Sequence, residues 1–469
     1  MRIFPRNKWL RLLCWAIAPC VALALFVLLS ALILWIVGTA RLSAEFDKLR
    51  AQGGFVSWAE VEATLPRKPT QEEGTRLLRE AFDELSKKEV PEEKWKLLPV
   101  EGTYSIDEPS DPLPADVAAA VAERIKQMQS VLVKLRRGAP LGARFWTPPK
   151  TLSDLPMQDE WPRYRTACRL LALSAIHRVH VGDGDGAVEE LISGARLGAT
   201  LETAPTVIGV LVRVACTGLA AEYSNHVLAR SRPSDEVLRS LVSVLQEEEP
   251  LSFKFALQTE RPFAIMCYDQ FDKRQFVELA RNFILYDSIM PGYLLHDFLH
   301  RDETPTLDAL LGGAYPLAGG LIRLNEAKQL DVMRRALGLW HLGLDAVKAE
   351  MTAAEKECRM YPLAESAAQL CARLKWAELA HAAHIRCVRA GICAELFRRA
   401  KGRLPDKPAD LVPEFMSEVP DDPFTGKPLA FDRRHGVLEI YCPSLDTKLS
   451  GDDDAKIKHL NSFKLYDKK

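Results

Sequence analysis

From Leu12 to Ala40 the chain reads LLCWAIAPCVALALFVLLSALILWIVGTA, without one charged residue. An apolar helix needs about 20 residues to cross a bilayer core, so this run predicts a membrane span even with Pro19 near its start. Beyond it the pattern becomes amphipathic. In TQEEGTRLLREAFDELSKK, Leu77, Leu78, Ala81, Phe82 and Leu85 recur at helical spacing, and Thr70 with Glu73 has the spacing of a capping box. A second helix is expected through Val117, Val121, Ile125, Met128, Leu132 and Leu135, up to Gly138. Pro91, Pro99, Pro109, Pro112 and Pro114 bound the loop before it, and the proline-rich stretch from Pro140 to Pro162 marks a boundary.

RYRTACRLLALSAIHRVHVGDGDGAVEELISGARLGATLETAP then predicts two helices joined at Gly182-Asp183-Gly184, with Ala175 and Ala187 small enough for close contact. The unit resembles a tetratricopeptide-like helix pair, but no fixed period repeats it, so an irregular helical array is expected. Further helices are expected at about 206–229, 234–247, 251–285 and 327–360, and a last long one from Leu363 to Lys401. After Gly402 the pattern breaks. Pro405 cannot continue a helix, ADLVP restarts a short turn, and VPDDPFTGKPLAF predicts an extended segment with a tight turn at Thr425-Gly426. GVLEIYCPS alternates as an edge strand would. The predicted fold is mainly α: an N-terminal transmembrane helix, an irregular α-helical array and a small C-terminal antiparallel β module. Its divisions are a cytoplasmic N-terminus (1–11), an anchor (12–40), a stalk and proline-punctuated helical region (41–162), a helical core (163–401) and a C-terminal module with an acidic tail (402–469).

Charge orients the span. Arg2, Arg6, Lys8 and Arg11 precede it, which keeps that end in the cytoplasm. Arg41, Lys48 and Arg50 follow it, tempered by Glu45 and Asp47. A cleaved signal peptide has an apolar region of about 7–15 residues and a small-residue cleavage site. This run is longer and lacks such a site, so a retained anchor with an extracytoplasmic body is expected; Pro19 disqualifies Cys20 as a lipoprotein acceptor. Over the whole chain, 62 basic and 63 acidic residues cancel, and no dense Lys/Arg run exists to track phosphates. Nucleic acid is therefore excluded as the expected partner, leaving the membrane and other envelope proteins.

The chemistry-bearing residues are sparse. HDFLH places His296 and His300 one helical turn apart, able to share a metal, but Asp297 stands where the zinc-protease pattern needs glutamate. LLGGAYPLAGGLI, Leu310 to Ile322, lacks the Lys-Ser/Thr of a phosphate loop and predicts close helix packing or a bent connection. His177/His180 and His381/His384 are helical pairs without a converging acid. No G-x-S-x-G elbow occurs. The 10 cysteines form no C-x-x-C pair, Cys387 and Cys393 lie too far apart along one helix to bond, and Cys442 stands alone, so buried thiols are expected.

In the tail, Gly402, Pro405, Leu411, Pro420, Asp422, Pro423, Gly426, Pro428 and Tyr441 match a recognisable series. The series is a helix ending in G-x-x-P, a Leu-x-P turn, P-x-D-P-F-x-G-x-P, and a strand leading to a serine–aspartate loop. It resembles the C-terminal half of the major pseudopilins of type II secretion, and more closely membrane-anchored proteins of planctomycete-like bacteria with the same tail. The resemblance implies that Asp422-Pro423 begins the turn into the sheet and that Asp446, Asp452, Asp453 and Asp454 stand where such proteins can hold calcium. Read from the residues alone, these aspartates are a solvated acidic tail. The expected function is a non-catalytic envelope scaffold or protein-interaction protein; the alternative is an extracytoplasmic metal-dependent hydrolase using His296 and His300.

Overall fold

The structure is a computed structural model that describes residues 8–88, 90–106, 108–149, 160–251, 253–270, 318–434, 436–443 and 462–466. It is 72% helical, with 14 α-helices among the described residues and one three-stranded antiparallel sheet near the C-terminus. The chain divides into two compact units, residues 1–60, 150–153 and 260–372 in one, and 61–149, 154–259 and 373–469 in the other.

In the first unit α1 (Lys8–Ala51) is one continuous helix through Pro19. It is long and apolar enough to cross a membrane, and none of its most apolar stretch is buried. After α2 (Trp58–Thr64), which straddles the division, the unit resumes late in the chain with α12 (Gly319–Leu339) and α13 (Leu344–Glu357). The expected single helix at 327–360 is broken here because Gly343 takes φ +91°, a left-handed conformation that ends the first and admits the second. Arg335 and Lys328 on α12 hold Glu357 of α13 at 2.9 and 2.8 Å. Residues 310–317 of the glycine-rich stretch lie outside the described residues, and its described end packs closely: a Cβ on Gly320 would lie 2.5 Å from the backbone nitrogen of Trp35 on α1.

The second unit holds α3 (Gln71–Leu85), α4 (Glu92–Trp95), α5 (Ala115–Gln127), α6 (Gln129–Gly138), α7 (Glu160–His180), α8 (Gly184–Ala199), α9 (Val207–Arg230) and α10 (Asp235–Glu248). The division falls within α11 (Phe253–Asp269) and α14 (Pro362–Lys401). On α3 the expected apolar face, Leu77, Leu78, Ala81, Phe82 and Leu85, is buried. Its capping box does not form. Thr70 makes no cap and instead donates its hydroxyl to the Leu141 carbonyl at 2.6 Å, a tertiary bond that takes the side chain away from the helix end. The helix expected through Leu135 is two helices, α5 and α6, meeting at Met128 with φ −96° and ψ 8°. Asp183 caps α8 through Gly186 N–H at 2.9 Å, closing the α7–α8 hairpin on fully buried Ala175 and Ala187. α9 is also long and apolar, but 44% of its most apolar stretch is buried, as befits a core helix.

The C-terminal module folds against α14. Gly402, at φ +70°, ends that helix. Phe415 stacks edge-on against Phe397 at 5.5 Å, and its carbonyl accepts from the Cys393 thiol at 3.3 Å. Asp422, fully buried, accepts from Phe424 N–H at 2.9 Å and the Thr425 hydroxyl at 3.0 Å, fixing the turn at Gly426. The sheet order is β1 (Ala430–Arg434), β2 (Val437–Tyr441), β3 (Ser462–Tyr466). β2, expected at an edge, is therefore the central strand, with Phe431 opposite Ile440 on one side and Ile440 opposite Phe463 on the other. The strand that covers it was not expected; its inward Phe463 and Leu465 alternate with Ser462, Lys464 and Tyr466. Phe463 seats on α14 at Gly391, where an added Cβ would lie 2.0 Å from the ring.

Candidate functional site

His296 and His300 lie outside the described residues, as do Asp446, Asp452, Asp453 and Asp454. Among the described residues no group of three or more His, Cys, Asp or Glu side chains is arranged to hold a metal. Four other histidines, His177, His226, His381 and His384, are affected by burial. His381 Nε2 lies 3.0 Å from the Glu248 carbonyl, and burial holds its pKa down at about 4. Burial, with His381 beside it, does the same to His384, and burial next to Arg230 takes His226 to about 4. His177 is lowered by burial and by its neighbours His180 and Arg178. Burial thus favours the neutral form of each of these imidazoles.

They carry a consequence for pH. A histidine whose folded pKa is near 4 and whose ordinary value is near 6.5 stabilises the fold fully above 6.5. That contribution is lost as pH falls from 6.5 to 4, because the unfolded chain takes up the proton first. For His226 and His381 the loss reaches about 3 kcal/mol each at most. Urea unfolding of the second unit at pH 7, 5.5 and 4.5 should show this decline, and His226→Phe should remove its share of the slope. Stability independent of pH across that range would contradict the assignment.

Where side chains of unlike kinds converge on solvent is the polar face of α3, opposite its buried leucines. An open groove of about 740 Å³ runs there, in which Arg67, Lys68, Arg76, Arg79 and Arg144 face Glu62, Glu72, Glu80 and Asp83. Two residues before Arg144, the turn at Gly142, φ +76°, is pressed so closely on α3 that a Cβ at Gly74 would meet the Gly142 carbonyl oxygen at 1.8 Å. Arg144 N–H donates to Thr75 Oγ1 at 2.8 Å, and its guanidinium reaches Glu62 at 2.7 Å. Below lie Phe82, Phe145 and Tyr164 in mutual ring contact at 5.0 to 5.9 Å, with the Arg79 guanidinium 5.7 Å from the Phe145 centroid. Arg76 pairs with Glu80 at 2.8 Å, Asp83 with Arg163 at 3.0 Å and Lys68 with Glu202 at 2.5 Å. Arg67 and Glu72 make no ion pair among the described residues. Exposed pairs of this kind are worth about 0–1 kcal/mol, so their members can exchange partners at little cost. Among the described residues no nucleophile–base pair lines the groove, and the charges of its described lining nearly cancel.

Two further clusters were invisible in the sequence. Glu190 on α8, 1% exposed, accepts from Ser174 at 2.8 Å, Arg178 Nε at 2.9 Å and Arg136 Nε at 3.0 Å. Cys442, expected to stand alone, lies 3.9 Å from Cys387 on α14, and this contact together with burial pushes the Cys387 thiol pKa well up. Raised thiol pKa values mark inert, unreactive cysteines. No family model, no curated protein and no solved structure matches this chain.

Proposed function

We propose that the chain is a membrane-anchored protein whose body lies outside the cytoplasm, and that it acts as a non-catalytic scaffold for other envelope proteins. The observation that carries this is the α3 groove. Its mixed, nearly balanced charges suit the varied surface of a protein partner, whereas a phosphate or nucleic acid ligand calls for an excess of cations. The apolar run of α1 and the positive residues preceding that run support anchoring with the N-terminus inside. The tail from Gly402, read as a pseudopilin-like module, contributes a second folded surface; calcium at Asp446 and Asp452–Asp454 would be an accessory to it.

A photo-crosslinking residue at position 72, in the full chain in its native membrane, tests the groove. Discrete protein adducts are expected at Glu72 and not at exposed Val133 on α6. The double charge reversal Arg67→Glu with Arg79→Glu should remove most of them. Adducts at position 72 that match those at 133, or that ignore the reversal, would refute the groove as the binding surface.

A further inference from the structure

We propose that the first turn of α12, Gly319–Arg323, is seated in the bilayer leaflet from which α1 emerges, so that lipid covers Leu321 and the outer face of Trp35. This rests on reading α1 as the membrane anchor. The direction of packing leads to it. Gly320 meets Leu34 and Trp35 of α1, and Gly38 meets Gly320 and Arg323. Further along, Glu45 of α1 binds Arg334 of α12 at 3.1 Å. Residue numbers rise together on both helices, so they run parallel. The start of α12 therefore points back along the span, toward the membrane.

The depth follows from the same contacts. The uncharged run of α1 ends at Ala40, and Arg41 is the first charge. With a rise of about 1.5 Å per residue, Leu34 lies roughly 10 Å inside the level of Arg41. Interfacial helices bury their apolar faces about 5–10 Å into the headgroup and acyl boundary, and the first turn of α12 falls at that depth. Its residues suit the location. Gly319, Gly320, Leu321 and Ile322 are uncharged, and the glycines bring the two backbones together as small residues do between helices in lipid. Leu321 is 47% exposed, Trp35 46% and Ile36 54%, an apolar surface continuous with that of the anchor. The Arg323 guanidinium lies 5.2 Å from the Trp35 ring centroid, pairing an aromatic and a long cation that both favour the interface. The first charge on α12 is Arg323.

A benzophenone amino acid at Leu321, at Val27 or at Leu342 provides the test, using the full chain in phosphatidylcholine–phosphatidylglycerol vesicles with radiolabelled acyl chains. All three positions are exposed, so the label disturbs no core. Val27 lies in the apolar run, while Leu342 lies just beyond the far end of α12, roughly 30 Å from Leu321. Lipid adducts are expected at Val27 and Leu321, with at least a tenfold smaller yield at Leu342. Adducts at Val27 with none at Leu321, or protein–protein adducts at Leu321, would overturn the seating while leaving the anchor intact. Absence of lipid adducts at Val27 would overturn the anchor, and the seating with it.

Discussion

Gly391→Leu should unfold the C-terminal module from α14 and lower the melting temperature of the second unit by roughly 6–12 °C. The reason is geometric. Even a Cβ at this position falls 2.0 Å from a ring carbon of Phe463, and Phe463 is 1% exposed. Overpacking of this sort costs about 1–3 kcal/mol for small insertions and more for large ones. Replacing a helical glycine by another residue returns at most about 1 kcal/mol of helix propensity, so strain wins. Gly391→Ala should show a smaller loss of the same sign. In a Phe463→Ala background both substitutions should cost less, since the colliding Cγ, Cδ1 and Cε1 atoms are gone. Limited proteolysis reads the same event as faster cleavage between Gly402 and Tyr441. A Gly391→Leu protein that melts within about 2 °C of wild type would show that β3 does not rest on this helix.

Glu190→Leu is expected to be comparably severe. The carboxylate joins α6, α7 and α8 by accepting from Arg136, Arg178 and Ser174 while itself 1% exposed. Removing one partner of a buried ionic cluster costs about 3–5 kcal/mol, because the charges left behind lose their compensation. Arg136 and Arg178 each keep 27% side-chain exposure and can turn partly to water, so about 2–4 kcal/mol is the appropriate range. Glu190→Gln keeps an acceptor oxygen and should cost less than Glu190→Leu. Denaturant unfolding of the two variants decides it; equal stability of wild type and Glu190→Leu would mean that apolar packing alone holds the three helices.

What could be read in the sequence was what repeats at short range. The stripe Leu77, Leu78, Ala81, Phe82, Leu85 named the buried face of α3 because burial on a helix has a period, and Gly182-Asp183-Gly184 named a turn because its residues favour one. Pro405 and Gly402 marked the end of α14 for the same local reason. Features decided by distant partners could not be read. Thr70 has the residues of a cap beside it, yet its hydroxyl goes to Leu141. Gly391 looks like any helical glycine until Phe463 is placed against it, and β3 is only five residues, recognisable once β2 pairs with it. The groove is likewise an assembly: α3 supplies a polar face that resembles any solvated helix, and Glu62, Arg67, Lys68 and Arg144 from outside that helix complete it.

The proposed role depends most on the anchor and its orientation. A reporter enzyme that is active only outside the cytoplasm, fused after residue 60 of the chain, measures this directly when combined with the mass of the membrane-bound N-terminus. The expected result is full reporter activity in a membrane fraction whose N-terminus still contains Leu12–Ala40. A fusion that is expressed at full length but shows no reporter activity, or a mature protein cleaved within or after that run, would contradict this topology.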